Sequence, residues 1–215
     1  CKNCAAKLSP WFSERRESTV EQIREQLEYR EANREKVAAF NVTRTMGQYT
    51  KVLLDEDAGV FMVTSARDLE EANPDVLAFS DVTGCELDID ETERELKYAD
   101  KEGKQVSYNP PRYEYSYNFY IDIHVRNPYF DNIRFRLNSS AIEIEPPAMM
   151  GAGRPMGAPR PGTHRTGSSF NSFRNFGSNK VDPERDVEFR RYRDMGEEIK
   201  EALVSGTGSS TRQSS

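Results

Sequence analysis

Residues 115–126 alternate with a period of two. Tyr115, Tyr117, Phe119, Ile121, Ile123 and Val125 hold one parity, and Ser116, Asn118, Tyr120, Asp122, His124 and Arg126 the other. Successive strand side chains point to opposite faces, so this stretch has one apolar and one polar face; as a helix it would scatter the apolar residues around its circumference. Such a strand needs paired neighbours and a cover for its apolar face. Neighbours are at hand. Asn127-Pro128 starts a turn, after which Ile133, Phe135 and Leu137 alternate with Arg134 and Arg136, and Ile142 and Ile144 alternate with Glu143 and Glu145. Upstream, Lys51–Leu54 and Val60–Val63 flank the loop Asp55-Glu56-Asp57-Ala58-Gly59, whose glycine can take positive φ. Val76–Phe79 reads as a short apolar strand, and Cys85, Leu87 and Ile89 alternate with Glu86, Asp88 and Asp90. The connections are short, which requires antiparallel pairing. Seven or eight strands, each with one apolar face, predict a strongly bent sheet or partly open barrel.

Helices are expected at both ends. Ser18-Thr19-Val20-Glu21 reads as a capping box with Ser18 as N-cap. Val20, Ile23 and Leu27 share one face, and Val37 and Phe40 resume the pattern beyond the charged stretch Tyr29–Lys36. A helix from Thr19 to Ala39 is predicted, solvated around most of its middle and serving as an arm. At the other end Asp182-Pro183 is a helix start, and Phe189, Tyr192, Ile199 and Leu203 form a stripe with Met195 beside it and Gly206 past the end. A β-meander closed by one C-terminal helix is the pleckstrin-homology-like (PH-like) plan. The fold class is therefore α+β. The expected boundaries are 1–17 for a cysteine-bearing remnant, 18–40 for the linking helix and 41–145 for the PH-like β-domain. A Pro/Gly/Arg/Ser insert at 146–181, the capping helix at 182–204 and a tail at 205–215 follow.

Hydrophobic residues make up 36% of the 215, concentrated between Tyr49 and Ile144. The 146–181 insert and the tail carry almost no aliphatic residues, so disorder is expected there. The net charge of −6 argues against a nucleic-acid footprint over the whole chain. No apolar run approaches the roughly 20 residues of a membrane helix. Residue 1 is a cysteine, which fits either a lipidated mature N-terminus or, the preferred reading, a piece of a longer protein. Three cysteines cannot form a closed disulfide set, and a reducing cytoplasm is expected.

Cys1 and Cys4 form a C-x-x-C pair, able to chelate one ion from a single turn; a redox pair or a chance spacing gives the same pattern. A structural zinc needs four ligands. Cys85 on an inward strand face, His124 on a solvated face and His164 in the insert are poor candidates, so the pair reads as half a site, expected to stand empty alone. Asp88, Asp90, Glu91, Glu93 and Glu95 form an acidic run with Glu93 where a calcium loop needs glycine, so a solvated turn is expected. Asp122 and His124 can hydrogen-bond, but no Ser or Cys completes a triad. Tyr120, Asp122, His124, Arg126, Arg134 and Arg136 instead read as a polar binding surface. Arg154, Arg160, Arg165, Arg174 and Lys180, with Phe170, Phe173 and Phe176, faintly resemble nucleic-acid- or membrane-binding tracts, but a plain linker is expected. Phosphate loops, nucleophile elbows and H-E-x-x-H are missing from the sequence, so no enzyme is expected.

The chain resembles a family of uncharacterised bacterial proteins, widespread in Firmicutes, that join an N-terminal zinc-knuckle domain of unknown function to a PH-like β-domain. The resemblance rests on residues 1–10 (Cys-Lys-Asn-Cys-Ala-Ala-Lys-Leu-Ser-Pro), the helix through Asn33, the Val52–Val63 hairpin, Phe79–Val82 and Phe119–Pro128. It is completed by Glu188-Phe189, Tyr192, Met195 and Glu198-Ile199. It implies a zinc held by two C-x-x-C pairs, with Cys1 and Cys4 as the second and the first pair missing here. It implies no activity. The expected role is a cytoplasmic interaction or scaffold module recognising a protein or a lipid headgroup; a nucleic-acid-associated protein using the knuckle and the basic insert is the alternative.

Overall fold

The computed structural model describes residues 8–12, 18–145 and 181–209. Cys1, Cys4, His164 and the basic residues of the insert lie outside them, as do the expectations placed on them. The described residues fall into two compact units, one holding 8–12, 18–91, 117–142 and 184–209, the other 92–116, 143–145 and 181–183.

The architecture is α+β with antiparallel sheets. Helix α1 (Val20–Ala39) leads into strands β1 (Arg44–Met46), β2 (Lys51–Asp55) and β3 (Val60–Thr64), a short helix α2 (Leu69–Ala72), and β4 (Leu77–Ala78). A 3-10 turn at Phe79–Asp81 precedes β5 (Val82–Ala99), β6 (Gln105–Val125), β7 (Asn132–Arg136) and β8 (Ile142–Ile144); helix α3 (Val187–Ser209) ends the described chain. The strands form two four-stranded sheets in place of a closed barrel. One runs β1-β2-β3-β4; in the other β6 lies between β5 and β7 and also pairs with β8.

The first sheet is covered on both faces, which explains its unbroken apolar runs. Leu53 and Met62, opposite each other in the β2–β3 register, pack with Val37 of α1 and with Val76. Leu54 and Phe61 face the other way, where the Phe61 ring stacks on Phe79 at 6.0 Å. In β6 every odd residue from Tyr115 to Val125 is at most 6% exposed, as the alternation predicts. Helix α3 covers this face. Phe189 meets Tyr117 and Phe119 edge-on, at 5.0 and 5.1 Å, while Ile199 and Leu203 are fully buried.

Three boundaries differ from the sequence reading. The first helix is capped by Thr19, in a reciprocal box with Gln22, because Gln22 rather than Glu21 stands three residues past the cap. The last helix is capped by Asp186, which accepts from the Phe189 N–H at 2.9 Å, while Pro183–Arg185 form a 3-10 turn. Gly206 lies inside that helix: a Cβ there would come within 2.8 Å of the Phe79 ring, so its bareness permits the approach.

The largest correction concerns the acidic run, which is no turn. β5 continues through Asp88–Glu95 to Ala99, and the turn comes at Asp100–Lys104. There Asp100 Oδ1 accepts from the Glu102 and Lys104 N–H groups, and Gly103 takes φ 79°. Backbone pairing with β6 carries the strand, so exposed carboxylates on it need no apolar alternation.

Candidate functional site

The outward face of β6 brings together part of the polar row expected from the sequence. Register sets Tyr120 opposite Arg136, Asp122 opposite Arg134 and His124 opposite Asn132. Arg134 donates to Asp122 Oδ2 at 2.8 Å and to Asp88 Oδ2 at 2.5 Å, and its guanidinium lies 4.6 Å from the Tyr120 ring centroid. The hydrogen bonds to Asp88 and Asp122 hold its pKa above the ordinary arginine value. Asp88 was hidden in the acidic run; its even parity on a continuing strand is the signal that would have placed it beside Asp122. The other members point elsewhere. Arg126 donates to the Ser80 carbonyl at 2.7 Å, and Arg136 to Asn118 Oδ1 and the Ser139 carbonyl. His124 lies beside the bare Cα of Gly84. It does not bond Asp122, whose other oxygen is buried and meets no donor among the described residues. Residues two apart on one strand face are about 7 Å apart, further than the arginine directly opposite.

A second polar network is buried. Helix α1 turns Gln26, Arg30, Asn33 and Val37 inward, at most 8% exposed, while Val20 is 68% exposed. Arg30 Nη1 bonds Asp75 Oδ1 at 3.0 Å, and the Ser9 hydroxyl bonds Asp75 Oδ2 at 2.7 Å. The Ser9 N–H reaches Gln26 Oε1 at 3.3 Å. Asn33 Nδ2 bonds the Pro74 carbonyl at 2.7 Å, and its Oδ1 accepts from the Val76 N–H at 3.0 Å. Sequence periodicity missed this seam because its side chains are polar.

Two grooves open on the larger unit. One, about 870 Å³, runs between the β2–β3 turn and α3. Glu56 and Asp57 stand on one bank, Glu198 and Glu201 on the other, and Arg44 is tied to Glu198 at 2.6 Å. The other, about 490 Å³, has walls that include Tyr29, Phe40, Val60 and Leu77, with Lys36 and Arg126 also lining it. Burial raises the Tyr29 pKa against the lowering effect of its bond from Asn127. Among the described residues neither groove is lined by histidine or cysteine. Cys85 is a free, buried thiol, pushed up to about 12 by desolvation. Among the described residues no group of three or more His, Cys, Asp or Glu could hold a metal ion.

The smaller unit holds the distal hairpin of β5 and β6. Arg94 pairs with Glu114, the Tyr98 and Tyr108 rings meet at 5.0 Å, and Arg112 lies 5.1 Å from the Tyr108 centroid. Tyr98 and Tyr113 remain 44% and 37% exposed.

Residues 1–26 match the model of a domain of unknown function, DUF4428. The match ends inside α1 and takes in both Ser9 and Gln26, so the end of the matched segment is built into the buried seam. No curated protein and no solved structure matches the chain. No helix among the described residues is long and apolar enough to cross a membrane.

Proposed function

We propose that this chain is a non-catalytic interaction module whose partner is a protein. The observation that carries the reading is the distal hairpin. Thr92–Ala99 pairs only with β6 among the described strands and is exposed at most positions, with tyrosines outward on both strands. A two-stranded ribbon is marginal in water by itself, and an open edge is a template for an added strand. Exposed tyrosines supply rigid contact area at low entropic cost. A lipid headgroup is less well served: Arg134 is occupied by two carboxylates, and the larger groove is acidic. The strand order with a closing C-terminal helix suits a PH-like domain, and fold likeness alone does not choose a ligand. The free Cys85 thiol fits a cytoplasmic setting, and zinc at Cys1 and Cys4 belongs to this proposal, with metal analysis of the full-length protein as its check.

The test is capture of partners by the immobilised full chain beside its Tyr98→Ala/Tyr113→Ala variant, with sedimentation on phosphatidylglycerol vesicles in parallel. The reading expects proteins held by the parent chain, lost from the variant, and no vesicle binding. Vesicle binding, or capture indifferent to both tyrosines, would overturn it.

A further inference from the structure

The groove between the β2–β3 turn and α3 has a chemistry of its own, independent of the hairpin. We infer that it docks a basic peptide segment of a partner protein, with lysine or arginine side chains lying between its two banks. Its floor includes Leu54, Ala58, Phe79 and Ala202. Among the described residues four carboxylates and one arginine line it, and of these carboxylates Glu198 alone has an ionic partner there, the groove's own Arg44. Asp57 and Glu201 form no ion pair among the described residues, so the concavity keeps a negative field that its low-dielectric walls focus.

That field selects the occupant. Phosphate groups and anionic lipid are repelled. A bare metal ion has no set of three ligands among the described residues. A long cationic side chain fits both parts, its methylene stem against the floor and its head between the carboxylates. Gly59, at φ 68°, leaves the turn bank low: a Cβ there would meet nothing within 4 Å.

The experiment is fluorescence anisotropy of the full chain with a labelled (Arg-Ala)4 peptide, and with (Glu-Ala)4 as the anionic control. Asp57→Asn/Glu201→Gln removes two groove charges. Glu25→Gln/Glu28→Gln removes two exposed charges from α1 and leaves the same net charge. The expected result is saturable binding of the basic probe, weakened about tenfold or more by the groove pair and less than about twofold by the α1 pair. The Tyr98→Ala/Tyr113→Ala variant should bind the probe like the parent chain, so this site and the hairpin fail separately. Equal loss in the two charge variants would mean bulk attraction and overturn the inference. So would absence of binding to the basic probe, or equal binding of the acidic one.

Discussion

Two arginine–carboxylate networks in this chain use the same groups in opposite media. Arg30 and Asp75 meet with side chains 9% and 0% exposed. Arg134 meets Asp88 and Asp122 with the three side chains 43%, 50% and 16% exposed. In the first, protein groups take the place of water: Asp75 receives both Arg30 and the Ser9 hydroxyl, and the Ala72 carbonyl lies 3.4 Å from Arg30 Nη2. In the second, water still reaches the guanidinium. Bond lengths are similar, yet the energetic consequences differ, because desolvation rather than distance sets the cost of losing a partner. The buried network fixes where α1 and the Leu8–Phe12 segment sit; the exposed one shapes a surface.

The sharpest way to break this comparison is Asp75→Ala. It removes the buried carboxylate to which both the Arg30 guanidinium and the Ser9 hydroxyl donate, and a loss of about 3–5 kcal/mol in urea unfolding is expected. Replacing both partners by apolar residues, Arg30→Met with Asp75→Leu, should recover most of that loss, since no buried charge is then left alone. If Asp75→Ala alone cost less than about 1 kcal/mol, the seam would be wet and the contrast with Arg134 would disappear.

The same contrast decides what the sequence could reveal. Tyr117 to Val125 and the stripe Phe189, Tyr192, Ile199 and Leu203 were legible because apolar burial leaves a period, two in a strand and 3.6 in a helix. The inward face of α1 was not. Its members Gln26, Arg30 and Asn33 carry no apolar signal, and the visible apolar trio led outward to the exposed Val20. The extension of β5 was hidden likewise: Asp88–Glu95 is held by pairing with β6, and pairing writes no hydrophobic pattern. The larger groove was half legible. Asp55–Gly59 read as a loop, but nothing local to the sequence brings Glu56 and Asp57 opposite Glu198 and Glu201, more than 140 positions away.

A middle-sized effect is expected where α3 is held by both kinds of contact. Arg44 and Glu198 form an exposed pair, while Gly206 presses on Phe79. Gly206→Ala would gain about 1 kcal/mol of helix propensity elsewhere. Here its Cβ would lie 2.8 Å from a ring that stacks on Phe61, so a net loss of about 1–3 kcal/mol is expected in thermal unfolding. Glu198→Gln should cost under about 1 kcal/mol. The reverse order would mean that the ion pair, not the packing, holds the helix.

The smallest effect is predicted for Arg134→Gln, and its salt dependence is what makes it informative. The glutamine keeps a donor that can reach Asp122, whose side chain is 16% exposed, and leaves the half-exposed Asp88 in contact with water. The lost terms are an exposed double ion pair and the contact with the Tyr120 ring, together about 1 kcal/mol or less at low salt. At 1 M salt the Debye length is about 3 Å, and most of that difference should vanish. The Asp75→Ala loss should persist under the same salt, because ions do not enter the seam to screen it. Unfolding both variants at low and high salt therefore gives four numbers, of which only the Arg134 pair should converge on the parent chain.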